Sequence, residues 1–183
     1  TFHLYELVFI DLKEVKLYTI LVAGGAGFVG SSLAINLKRD LPELRVISLD
    51  NLKRRGSELN VSRLAGNGVE FLHCDIRNPE DIEAVGPFDV MLECSAEPSV
   101  MAGVDGSPAY LINTNLIGTL NCLESVRKHG AKMIFLSTSR VYPVGAISEL
   151  PFKEGDTRFT LKSDVRLAGV SQEGINEAFP LEG

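Results

Sequence analysis

Tyr18-Thr19-Ile20-Leu21-Val22-Ala23-Gly24-Gly25-Ala26-Gly27-Phe28-Val29-Gly30 is the stretch that decides the fold. Six β-branched, aromatic or apolar residues run directly into glycines. A short apolar run closed by turn residues predicts a strand covered on both faces. Leu33, Ala34 and Leu37 follow at helical spacing before Asp40 and Pro42, so the unit is strand, tight turn, helix. The alternation repeats. Arg45–Asp50, Val69–His73, Asp89–Cys94 and Lys132–Ser137 predict four further strands. Between the last two, Leu111, Ile112, Leu116, Leu120, Leu123 and Val126 recur three and four apart. That spacing predicts one helix from about Pro108 to His129, with the stripe packed on the sheet and Gly130 at its stop. Strands alternating with helices predict an α/β protein with a doubly wound parallel sheet.

The chain has 183 residues, 45% of them apolar and 23% charged, which suits one folded domain rather than disorder or a coiled coil. Its net charge is −6, and the densest basic run is only Lys53-Arg54-Arg55, which argues against nucleic-acid binding. Cys74, Cys94 and Cys122 are 20 and 28 residues apart and form no CxxC pair. They read as reduced thiols of a cytoplasmic protein, with Cys94 and Cys122 as small core fillers, and no metal site is expected. His73 reads as a strand-end residue. Leu7-Val8-Phe9-Ile10 is flanked by charge and too short for a signal peptide or a spanning segment, so no membrane association is expected. The expected organisation is an extension over 1–17, the α/β domain over 18–145, and an irregular segment over 146–183 rich in Gly, Pro, Ser and charge.

The glycine turn satisfies G-x-G-x-x-G through Gly25, Gly27 and Gly30, and also places Gly24, Gly27 and Gly30 in G-x-x-G-x-x-G. Bare backbone there lets a pyrophosphate reach the N-H groups at the start of the following helix, where Phe28, Val29 and Gly30 stand. Asp50 ends the second strand 20 residues after Gly30, where a carboxylate can bind ribose hydroxyls. Its charge repels a 2′-phosphate and favours NAD over NADP, a preference that Arg54 and Arg55 oppose.

These residues resemble those of the NAD-dependent epimerase/dehydratase family, the extended short-chain dehydrogenases/reductases. Four more segments carry the resemblance. Asp75-Ile76 resembles the family's adenine-side contact, and Cys94-Ser95-Ala96-Glu97-Pro98-Ser99-Val100 resembles the fourth-strand exit beside the cofactor. Asn113-Thr114-Asn115 with Gly118-Thr119 resembles the family's long helix, and Leu136-Ser137-Thr138-Ser139-Arg140-Val141-Tyr142 its fifth-strand active-site motif. More narrowly, Asp50-Asn51-Leu52-Lys53-Arg54-Arg55-Gly56 and Ser137–Tyr142 are similar to the family's CDP-sugar 2-epimerases.

The resemblance implies a Rossmann-type sheet with strand order 3-2-1-4-5 and NAD as cofactor. It implies NAD contacts from Gly24, Gly27, Phe28, Val29, Gly30, Asp50, Asn51, Asp75, Ile76, Ser95, Ala96 and Glu97. The implied substrate is a nucleoside-diphosphate sugar, from which a hydride is removed and returned at a sugar carbon. 4-Epimerisation, 4,6-dehydration and a non-catalytic NAD-binding module are the alternatives. Thr138 aligns with the catalytic Ser/Thr that holds the reacting oxygen; without the resemblance it reads as a hydroxyl capping the strand end. The family's base is Tyr-x-x-x-Lys, yet none of Tyr5, Tyr18, Tyr110 and Tyr142 has Lys four residues on. Glu173–Gly183 resembles the run that leads up to that helix, so the base and the C-terminal substrate lobe are expected to be absent from this chain. Loss of the neighbour of strand five is expected to make the chain self-associate or depend on the missing half.

Overall fold

The computed structural model describes residues 18–99, 101–104, 106–138 and 141–182. Residues 1–17 with Leu7–Ile10, together with Val100, Ser139 and Arg140, were given a reading above but lie outside the described residues.

The glycine-turn strand is β1 (Thr19–Ala23), and all five of its residues are buried. It forms the middle of a parallel sheet with β2 (Arg45–Asp50), β3 (Glu70–His73), β4 (Val90–Glu93) and β5 (Lys132–Phe135). The order is β3-β2-β1-β4-β5, as the sequence predicts. Each predicted strand is present, within two residues of its predicted ends. The register sets Leu21 between Ile47 and Met91. Alternation along β1 then builds two cores. Ile20 and Val22 pack with Ala34, Val46 and Leu64 on one face, and Leu21 and Ala23 with Ile47, Ile82 and Met91 on the other. Helices α1 (Phe28–Asp40) and α2 (Leu59–Gly66) contribute to the first core, and α3 (Pro79–Glu83) and the long helical run to the second.

That long run differs from the prediction in two ways. It is α4 (Ala109–Ile112), a π-helical stretch Asn113–Gly118, and α5 (Thr119–His129), the last closed by Gly130 in the left-handed conformation at φ 61°. The face turned to the sheet is also not the apolar stripe. Thr114, Gly118, Cys122 and Ser125 are buried, while Leu116 and Leu120 are 63% and 57% exposed. Ile112 and Leu123 are exposed as well. At Gly118 the packing is close: a Cβ there would stand 2.5 Å from Ile76 Cδ1 and 2.9 Å from its Cγ1.

The chain divides between Leu136 and Ser137 into two compact units. The second, Ser137–Gly183, holds α6 (Val144–Ser148) and two antiparallel ladders. These pair β6 (Phe152–Glu154) with β7 (Phe159–Leu161) and β8 (Val170–Ser171) with β9 (Gly174–Ile175). Ladders of two or three residues leave no periodic trace, so the sequence showed only irregularity there. Among the described residues no helix is long and apolar enough to cross a membrane.

The buried centre of the sheet and the exposed stripe of the long helix give opposite expectations. Leu21→Ala empties a fully buried site and should cost about 2–5 kcal/mol in urea unfolding. Leu116→Ala, on the exposed stripe, should stay within about 0.5 kcal/mol of the parent at protein concentrations low enough to keep the chain monomeric.

Candidate functional site

All the loops that leave the carboxyl ends of β1 to β4 open into one cleft of about 700 Å³. The twelve predicted cofactor contacts line it together: Gly24, Gly27, Phe28, Val29 and Gly30; Asp50 and Asn51; Asp75 and Ile76; and Ser95, Ala96 and Glu97. All of these belong to the first compact unit. Thr138 is exposed and belongs to the second.

The turn is built by close backbone approach. Gly24 has φ 68°, and a Cβ on it would stand 2.8 Å from both Cα and N of Ser95. Gly27 is different. Its φ −70° and ψ 173° are open to any residue, and a Cβ would meet only the Gly24 carbonyl oxygen at 3.1 Å. Backbone conformation therefore does not demand glycine at 27, which lines the cleft at the start of α1. No side chain caps α1, and its first turn holds no acidic residue. A 13-residue helix thus offers its N-H groups and positive dipole end to the cleft. This arrangement fits a pyrophosphate.

Asp50 fastens the turn to β2: its Oδ2 accepts from Ala26 N at 3.1 Å and its Oδ1 from Leu52 N at 2.8 Å. The second bond holds Leu52 at φ 54°, a left-handed conformation uncommon for a bulky residue. Asn51 reaches across, Nδ2 donating to Asp75 Oδ2 at 3.1 Å. Asp75 also pairs with Arg77, Nε to Oδ1 at 2.9 Å and Nη2 to Oδ2 at 2.5 Å. The Arg77 guanidinium holds the Asp75 carboxyl well below the usual carboxylate range, against a smaller opposing effect of burial. At this rim of the cleft the carboxylate therefore stays ionised. Of the two arginines that oppose an NAD preference, Arg54 lines the cleft and Arg55 does not.

The fourth-strand exit is held from two sides. Glu93, 1% exposed, accepts from Ser95 N at 2.7 Å and from the Ser95 hydroxyl, and Thr119 Oγ1 lies 3.3 Å from its Oε2. Further along, Glu97 N donates to Asn115 Oδ1 at 2.8 Å, and Asn115 Nδ2 returns a bond to Glu97 O at 3.1 Å. Asn60 Nδ2 donates to Ala26 O and Asn121 Nδ2 to Ile76 O, so asparagines brace the glycine turn and the third-strand exit too. Burial pushes the thiols of Cys74 and Cys94 up to about 12, and that of Cys122 up as well, so all three are neutral packing groups.

Lys53, Ser57, Pro98, Ser99, Tyr110 and Thr114 also line the cleft, and none was singled out from the sequence as a site residue. Tyr110 and Thr114 are one helical turn apart at the near end of the long run, and that spacing is the signal that could have found them.

Residues 20–163 match the NAD dependent epimerase/dehydratase family. CDP-paratose 2-epimerase of Salmonella typhi is 33% identical over 148 residues, which cover 77% of this chain and 42% of that protein. The solved ADP-L-glycero-D-manno-heptose-6-epimerase of Helicobacter pylori superposes with a TM-score of 0.61 at 34% identity, covering 73% of this chain and 42% of that one. A dTDP-glucose 4,6-dehydratase of Bacillus anthracis, solved in complex with NAD, superposes with a TM-score of 0.58 at 27% identity, covering 84% and 45%. The chain thus spans about two fifths of the length of the relatives it matches. With a strand order of 3-2-1-4-5, a glycine turn against an uncapped helix and a family match across most of its length, the chain belongs to the NAD-dependent epimerase/dehydratase family.

Proposed function

We propose that residues 18–145 are the NAD-binding domain of a nucleotide-sugar epimerase, and that residues 146–183 lead toward its catalytic helix. The whole protein, on this reading, acts on a CDP-sugar, removing and returning a hydride at one sugar carbon. The observation that carries the NAD-binding part is the space in front of α1, left open by a glycine that the backbone does not require. Bound NAD supplies the hydride acceptor. The chain's own groups hold it: the α1 N-terminus takes the pyrophosphate, Asp50 the adenosine ribose, and Asp75 with Ile76 the adenine side. Thr138 would hold the reacting sugar oxygen. The similarity to CDP-paratose 2-epimerase supports the 2-epimerase reading, and that to the 4,6-dehydratase supports the alternative. A 2-keto sugar found in the completed protein favours the first and a 4-keto sugar the second.

Gly27→Ala separates space from fold. Its methyl group contacts one carbonyl oxygen at 3.1 Å, so thermal unfolding should stay near the parent while NAD binding falls at least roughly tenfold. Gly30→Ala drives a Cβ onto the Gly24 carbonyl and should lower the melting temperature itself.

The carboxylate of Asp50 should make NADP bind roughly tenfold more weakly than NAD, since a 2′-phosphate would meet it at close range. Asp50→Asn should narrow the gap in a calorimetric titration; equal affinities in the parent would remove Asp50 from this role. General-base catalysis is worth roughly a hundredfold to ten-thousandfold in rate, and no tyrosine here has Lys four residues on. Residues 1–183 should therefore hold NAD yet show no epimerisation of CDP-, UDP- or dTDP-sugars by NMR. Turnover would place a base among residues read as structural, with Tyr142 the first to replace.

Ile112, Leu116, Leu120 and Leu123 form an exposed apolar stripe in the same unit whose sheet ends at β5. Self-association, or association with the remaining half of the enzyme, would cover them. Light scattering on residues 1–183 should show species larger than a monomer, and a monodisperse monomer at high concentration would refute self-association.

A further inference from the structure

Two separate chain segments converge on an aromatic ring carried by a third, the Tyr110 ring that lines the cleft. Lys53, on the loop after β2, places its Nζ 3.8 Å from the centroid of the Tyr110 ring. Arg77, on the loop after β3, holds its guanidinium carbon 5.4 Å from the same centroid. Arg77 is itself fixed by its two-pronged bond to Asp75, so the ring rests against an anchored cation on that side. Lys53 is anchored less firmly, its backbone N donating to Asn51 Oδ1 at 3.0 Å while its side chain is exposed. Lys53 and Tyr110 both line the cleft, alongside Asp50 and Asp75 at the exits of β2 and β3.

We propose that the Lys53–Tyr110 contact is a clasp over the adenosine half of the bound dinucleotide, with Tyr110 as a further binding residue for that half. This rests on the NAD reading of the cleft. The pyrophosphate cradle lies where β1 ends, and Asp50 and Asp75 lie on the β2–β3 side of it. The clasp lies on that same side, so it bears on one nucleoside and not on the other. An ammonium over an aromatic face gains strength when water is excluded. A nucleoside seated beneath the ring excludes water, so the contact is worth more in the bound state than in the free one. A contact that strengthens on binding raises affinity and slows release.

The test compares NAD, AMP and nicotinamide mononucleotide on the parent chain and on Tyr110→Ala, Tyr110→Phe and Lys53→Met. Tyr110→Ala and Lys53→Met should each weaken NAD and AMP on the order of tenfold, the factor that corresponds to about 1.4 kcal/mol, and should speed NAD release. Affinity for nicotinamide mononucleotide should not change, and Tyr110→Phe, which keeps the ring, should bind like the parent. Lys53→Met alters only an exposed side chain, so it reports on the clasp even where Tyr110→Ala perturbs folding. Parental affinity for NAD in both Lys53→Met and Tyr110→Ala overturns the clasp while leaving the NAD reading intact. A parallel loss of nicotinamide mononucleotide also overturns it, since a general disturbance of the cleft would explain the effect. Failure of the parent chain to bind NAD overturns the NAD reading and the clasp together.

Discussion

Everything at the carboxyl edge of the sheet depends on backbone approaching backbone where no side chain fits. A Cβ at Gly24 would collide with Ser95, one at Gly25 with Ser48 and the Val22 carbonyl, and one at Gly30 with the Gly24 carbonyl. β1, β2 and β4 therefore end around one knot of bare main chain. Because the knot takes so little room, α1 starts at once, at Phe28, and its N-terminus opens onto the cleft. A residue with a Cβ at Gly24 or Gly30 would push the helix off the β4 exit and open the turn. The binding surface follows from a packing constraint, and the dipole then determines what charge it attracts.

The loops around that knot lie beyond the last ladder hydrogen bonds, so side chains must hold them. Asparagine does most of this, from Asn51, Asn60, Asn115 and Asn121, because an amide can donate to a carbonyl or carboxylate and accept from an N-H without bringing in charge. Acidic side chains do the rest, Asp50 at the glycine turn and Glu93 at the fourth-strand exit. A buried carboxylate costs several kcal/mol unless its oxygens are met by donors, and here the Ser95 N-H, the Ser95 hydroxyl and Thr119 Oγ1 lie against it. In return it fixes Ser95, the residue whose backbone presses on Gly24. The buried acid and the glycine turn thus belong to one construction, the first setting where the second is closed.

The sheet was legible in the sequence because each strand is a short apolar run with a turn signal at its end, and five such runs with intervening helices leave few topologies open. That the glycine turn and Asp50 meet at one cleft was legible from their distance along the chain, and Asp75 was reached through the family resemblance. The face of the long helix was misread. Leu111, Ile112, Leu116, Leu120, Leu123 and Val126 have the spacing of a core stripe, and spacing cannot tell which stripe a helix buries when a second stripe of small residues lies beside it. Thr114, Gly118, Cys122 and Ser125 are the buried ones, and at Gly118 the Ile76 side chain already fills the space that a Cβ would take. The asparagine braces were invisible for another reason: each depends on a partner 18 to 45 residues away, and no local pattern encodes that. The same holds for Lys53 and Tyr110.

Holding a dinucleotide and doing chemistry with it make different demands on a chain. Every group that lines the cleft belongs to the first compact unit, braced by that unit's own side chains. Affinity for the nucleotide can thus be set by one folded body. Chemistry asks for reacting groups held at distances that matter within about 0.5 Å. Errors of that size leave binding nearly untouched and stop catalysis.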